Sequence, residues 1–142
     1  MKKVLSTILI GLTLFVSTSF YSCQSNSEDC TEIACTLDFR VSNITIKDQN
    51  QIPVALDSYQ VINLGTNEDI TLELSPEEFQ FAQQKGIYPL VDDLSVERRE
   101  SIEIQFRGFI NSVEVVTENF TAASDCCHVG MSEGNQEVTI TQ

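Results

Sequence analysis

The chain has 142 residues, with eight basic side chains against 21 acidic ones, a formal charge of −13 and no tryptophan. That length suits one domain around a single core. The acidic residues are scattered, as on a soluble, self-repelling surface, and no basic stripe exists to release counterions from phosphates, which excludes nucleic acid as a partner.

The first element is a targeting segment. Lys2 and Lys3 precede an apolar run of 13 residues, Val4 to Val16, and Ser17 to Ser22 then lead into Cys23. As a helix the run would reach ~20 Å, short of the ~30 Å hydrocarbon core, so it reads as a removed signal and not as a permanent span. Phe20, Tyr21, Ser22 and Cys23 stand where a lipoprotein cleavage motif has an aliphatic residue, two small residues and cysteine; Tyr21 departs from the small residue of the pattern. The segment resembles a bacterial lipoprotein signal. The resemblance implies that residues 1–22 are removed and that Cys23 becomes a lipid-modified first residue, held to the membrane by acyl chains worth ~0.8 kcal/mol per buried CH₂. Gln24, where an aspartate would mark retention at the inner membrane, and the polar, acidic run to Asp29 resemble signals for the outer membrane of a bacterial envelope. Periplasmic and surface faces both stay open.

Residues 23–34 form a tether, since Gln24 to Asp29 hold no apolar side chain that could join a core. The mature chain keeps six basic and 21 acidic residues, −15, so the domain is expected to stand off from anionic headgroups on that tether.

From residue 35 the pattern is all-β. Leu37, Phe39 and Val41 alternate with polar residues as a strand with one buried face. Ile44 and Ile46 follow in the opposite parity, which a bulge near Ser42 and Asn43 reconciles. Asp48 to Gln51 is a turn, and Ile52, Val54 and Leu56 make a short strand that Pro53 confines to an edge. Tyr59 to Leu64 is a strand, and Ile70, Leu72 and Leu74 repeat the alternation.

A short helix interrupts the strands. Ser75 caps it, Pro76 suits its first position, Glu78 completes a capping box and Gly86 offers a left-handed exit. Tyr88 to Val91 returns as a strand before a turn at Asp92 and Asp93. Ile102, Ile104 and Phe106 form the cleanest alternation in the chain, Gly108 marks a bulge, and Val113 to Phe120 and Val138 to Ile140 complete the set. Seven to eight short strands with one short helix describe an immunoglobulin-like or transthyretin-like β-sandwich over residues 35–142. The stretch Asn43 to Leu56, with Thr45-Ile46-Lys47-Asp48 and Ile52-Pro53-Val54, resembles the opening hairpin of transthyretin-like or carboxypeptidase-regulatory-like sandwiches. As a whole the chain resembles the small lipoproteins of bacterial envelopes, a likeness that brings no activity with it.

With Cys23 committed to lipid, Cys30, Cys35, Cys126 and Cys127 remain, an even number in an oxidising compartment. Strand parity puts Cys35 on the face of Leu37 and Phe39, and Cys127 on the face of Val129 and Met131, with Cys126 and His128 turned away. The expected bonds are Cys35–Cys127 inside and Cys30–Cys126 nearer the rim. Zinc ligation by these cysteines and His128 fails on spacing, because adjacent strand residues point to opposite faces. A Cys127–His128 nucleophile pair fails for the same reason, and the C-x-x-C of a thiol oxidoreductase is missing.

Asp92-Asp93 as a calcium site, and Glu77-Glu78 or Glu97 with Glu100 as a carboxylate pair, lack a ligand or catalytic spacing and read as turns or solvated faces. Asn43-Ile44-Thr45 and Asn119-Phe120-Thr121 match the glycosylation tripeptide by chance, given a bacterial signal. Tyr59 and Tyr88 are the candidates for a glycan platform in the absence of tryptophan. The sequence thus reads as a non-enzymatic, cofactor-free envelope module, lipid-anchored at Cys23, with an envelope protein or glycan as partner. The alternative is a redox or metal-binding protein built on Cys126, Cys127 and His128.

Overall fold

In a computed structural model describing residues 30–141, eight strands form two sheets. They are β1 (Val41–Asp48), β2 (Ser58–Asn63), β3 (Glu68–Asp69), β4 (Ile87–Asp92), β5 (Ser101–Ile110), β6 (Val113–Ser124), β7 (Val129–Glu133) and β8 (Glu137–Ile140), with helix α1 (Pro76–Lys85) between β3 and β4. The smaller sheet has the order β4-β1-β8 and the larger β3-β2-β5-β6-β7. The result is an all-β sandwich with one short helix.

The long hairpin β5–β6 is its backbone. Ile104 and Phe106 point into the core while Glu103 and Gln105 face out, as the period-2 pattern requires. Asn111 and Ser112, with φ of 50° and 63°, close the hairpin in a two-residue turn whose twist suits the flanking strands. The register shifts between Gly108 and Phe109, and a Cβ at Gly108 would lie 2.6 Å from both Leu56 Cδ1 and Val116 Cγ1. Glycine is needed there so that Leu56 can cross the strand.

In the facing sheet β1 is central, and its bulge falls between Ser42 and Asn43 against β4. Ile44 and Ile46 are fully buried, and β8 closes the sheet in parallel register with β1. Tyr59 and Phe106 from the large sheet meet Tyr88 from the small one, with Tyr59 ring centroids 5.7 Å from Phe106 and 5.6 Å from Tyr88. Burial pushes the Tyr59 phenol up to about 12, with the Tyr88 phenol adding to the shift. Aromatic pairs at this spacing add to the core beyond their area.

Helix α1 is set by its caps. The Ser75 side chain accepts from Glu78 N, the Glu78 carboxylate accepts from Ser75 N, and Gly86 leaves at φ 64°. A Cβ at Gly86 would also meet Ile46 O at 2.4 Å. Among the described residues no helix is long and apolar enough to cross a membrane.

Three expected strands are corrected. β1 begins at Val41, and Leu37 and Phe39 are 103 % and 59 % exposed instead of buried. Their alternation has no facing sheet, because the chain here is a strap along the end of the sandwich. The segment Ile52–Leu56 makes a single bridge, Lys47 to Pro53, although Val54 and Leu56 are buried. Ile70 to Leu74 is irregular beyond β3; Ile70 and Leu74 pack partly on the core and Tyr59 Oη donates to Leu72 O. Alternation reported which side chains go inside, but ladder formation needs a partner strand within reach.

Candidate functional site: the stapled end

One end of the sandwich collects most of the chain's chemistry. The start of β1, the end of β4, the start of β5, the end of β6 and the start of β7 all converge there. Residues 30–40, the strap, cross it, and two disulfides fasten them: Cys30–Cys126 and Cys35–Cys127, with Cα separations of 5.4 and 5.3 Å. The pairing coincides with the one read from parity, but the burial is reversed. Cys126 is buried, Cys127 is half-buried and Cys35 is exposed. Residues 125–128 form a turn and not a strand, so strand parity does not apply to them. Cys23 lies outside the described residues.

The turn is organised by Asp125, whose Oδ1 accepts from the N–H groups of Cys127 and His128 at 2.6 and 2.8 Å. Those bonds, led by the one from His128, hold the Asp125 carboxyl below its usual range. This local turn turns two adjacent cysteines so that each can reach its own partner on the strap.

A second carboxylate completes the latch. Asp93 Oδ1 accepts from Val129 N at 2.8 Å, and Oδ2 accepts from Arg40 N at 2.9 Å and from His128 Nδ1 at 3.0 Å. An ionised carboxylate can only accept, so Nδ1 carries a proton, and Nε2 shares a hydrogen bond with the Thr36 hydroxyl at 2.9 Å. Strap, turn 125–128 and the β4 exit are thereby joined through one imidazole whose side chain is 11 % exposed. Hydroxyl, imidazole and carboxylate stand in the order of an acyl-transfer triad. Here the hydroxyl belongs to an exposed threonine of the strap, and every group of the array is engaged in holding that strap.

Partial burial works against ionisation at Asp93. The hydrogen bonds from His128, Arg40 and Val129, with the charge of His128, outweigh it and bring the carboxyl from 3.8 to about 2. A carboxyl lowered in the folded state stabilises fully above its ordinary value and loses that contribution as pH falls through the folded value. Urea midpoints measured from neutral to acid are therefore expected to fall between 3.8 and about 2 at this site, and Asp93→Asn is expected to remove that limb. Parallel acid limbs in the two proteins would refute the assignment.

Other candidate residues are occupied elsewhere. Asp92 Oδ1 accepts from Leu94 N and Ser95 Oγ, a closed turn and not a calcium loop. Glu78 caps α1, and Glu97 and Glu100 share a turn through Glu100 N donating to Glu97 O. Among the described residues no three His, Cys, Asp or Glu side chains are placed to hold a metal ion. Tyr59 and Tyr88 are 9 % and 0 % exposed, so neither is a glycan platform. Thr36 and Asp93 as partners of His128, and Arg40 as a partner of Asp93, were missed by the sequence reading, since the pairs lie 92, 35 and 53 residues apart; only Asp125, two and three residues before the amides it binds, carries a local signal.

The fold and this end define a class: a small disulfide-stapled β-sandwich whose N-terminal segment is fastened across one end of its sheets. No protein-family model matches the chain, and no curated protein or solved structure matches it either.

Proposed function

We propose that the protein is a lipid-anchored, non-enzymatic module of a bacterial cell envelope, held by acyl chains on Cys23 and acting in binding or as a structural element. The observation that carries the reading is where the staples lie: both disulfides sit on the strap that leads back to Cys23, seven residues before Cys30. A tethered domain that must keep its footing gains most from fastening at that point. The resemblance of the leader to lipoprotein signals, and the oxidised cysteines, support an envelope location, with the outer membrane favoured by Gln24 and the acidic run after it. For partners the sandwich offers edge strands, β7 in the large sheet and β4 and β8 in the small one, to which an envelope protein could add a strand.

Intact mass of detergent-extracted protein tests the reading. The expected species starts at Cys23, carries acyl mass, and takes up alkylating reagent at four cysteines only after reduction. A species without acyl mass would remove the membrane from the account. Alkylation before reduction would favour a redox or metal role for Cys126, Cys127 and His128.

A further inference from the structure

The strap exposes apolar side chains to solvent. Leu37 is 103 % exposed, Phe39 59 % and Ile33 42 %, and Leu94, beside the Asp93 latch on the β4 exit, is 85 % exposed. Leu37 and Phe39 flank residues fixed to the sandwich: Cys35 is bonded to Cys127, Thr36 to His128, and Arg40 and Asp93 bond each other in both directions. These side chains are therefore presented by a fastened segment and not by a loose tail. Solvent exposure of this kind is what a missing apolar partner would relieve.

The length of chain before the strap says which partner. From Cys23 to Cys30 there are seven residue steps, at most ~24 Å fully extended and ~15 Å as a flexible coil. With Cys23 at the bilayer, the stapled end is always within that distance of the lipid. The opposite end also exposes apolar side chains, Ile52, Phe81 and Val113, but β5 places Val113 ~30 Å farther along the strands. Charge is not the attraction. Arg40, Arg98 and Arg99 stand at the stapled end among Asp38, Glu97, Glu100 and Asp125, and the mature chain is strongly acidic.

We infer that the stapled end is a membrane-docking face: Leu37, Phe39 and Leu94 enter the interface of the bilayer that holds Cys23, so the domain rests on the lipid instead of standing off it. This rests on the lipid-anchor reading. It replaces the stand-off expected from net charge, because apolar side chains next to the anchor gain from burial in the interface of an uncharged bilayer. The disulfides then have a second consequence, since they hold the docking side chains in one orientation and so fix which end of the sandwich faces away.

The chain has no tryptophan, so single substitutions give clean reporters. Mature lipidated Leu37→Trp, Leu94→Trp and Val113→Trp proteins are reconstituted in phosphatidylcholine vesicles with and without brominated acyl chains. All three sites are exposed, so the fold tolerates the indole. The expected result is flotation of all three with the vesicles, with a blue shift and at least about two-fold quenching at positions 37 and 94 and neither at 113. Flotation without quenching at 37 and 94 would overturn the docking face and leave the anchor standing. Failure to float, with no acyl mass, would overturn both. Equal quenching at 113 would overturn the orientation and hence the proposal.

Discussion

Replacing all four cysteines of the domain is expected to cost about 7 kcal/mol, whereas replacing either pair alone costs only about 2.5 kcal/mol. The asymmetry follows from where the bonds lie. Either disulfide by itself closes a loop of more than 90 residues, 92 apart for Cys35–Cys127 and 96 for Cys30–Cys126, worth about 4.6 kcal/mol of chain entropy. Once one is formed, the other closes a ring of only about eight residues, Cys30 to Cys35 and Cys126 to Cys127, worth about 2.5 kcal/mol. Urea unfolding of Cys30→Ala/Cys126→Ala, Cys35→Ala/Cys127→Ala and the fourfold variant measures this directly. The fourfold loss should exceed the sum of the two pairs by about 2 kcal/mol, and additivity would show that the two loops act independently. Against a total stability of about 5–15 kcal/mol for a small domain, the fourfold variant should be near its unfolding midpoint without denaturant.

Tyr88→Phe, the removal of one oxygen, is expected to cost about 2–4 kcal/mol. Tyr88 is fully buried, and its hydroxyl accepts from Leu56 N at 2.7 Å and donates to Val54 O at 2.8 Å. The stretch from Pro53 to Leu56 sits in the core without a ladder partner beyond the single Lys47–Pro53 bridge, so the phenol stands in for the missing strand. Val54 N reaches Ile46 O and Leu56 O accepts from Gln83 Nε2, which leaves Leu56 N and Val54 O to Tyr88. Phenylalanine would strand both groups away from water. Urea unfolding should show the loss with an unchanged slope, and amide exchange at Leu56 should accelerate. A change below about 0.5 kcal/mol would mean that water replaces the hydroxyl at low cost.

Local chemistry made much of this fold readable. The caps of α1, the bulge at Ser42 and Asn43, the register shift at Gly108 and the strands around Ile44, Tyr59, Ile104 and Val138 each depend on residues within a few positions of one another. Such patterns are short-range consequences of backbone sterics and side-chain period. The strap and the Ile52–Leu56 and Ile70–Leu74 segments carried the same alternation and did not become full strands. Alternation says which side a residue favours, and a strand also needs a neighbour with free hydrogen-bonding groups.

The stapled end divides along the same line. An even set of four cysteines announced two bridges, whereas the turn that Asp125 builds reads as strand in the sequence. The reversed burial of Cys126 and Cys127, and the imidazole shared by Asp93 and Thr36, belong to contacts between residues 35 to 96 positions apart. The sequence by itself determined the all-β class, the helix and its ends, the acidic surface and the cysteine count, because each follows from composition or from spacing along the chain. Only the tertiary structure decided that residues 30–40 are a fastened strap with Leu37 and Phe39 turned outward, because which side chains find a partner is settled by where distant strands end.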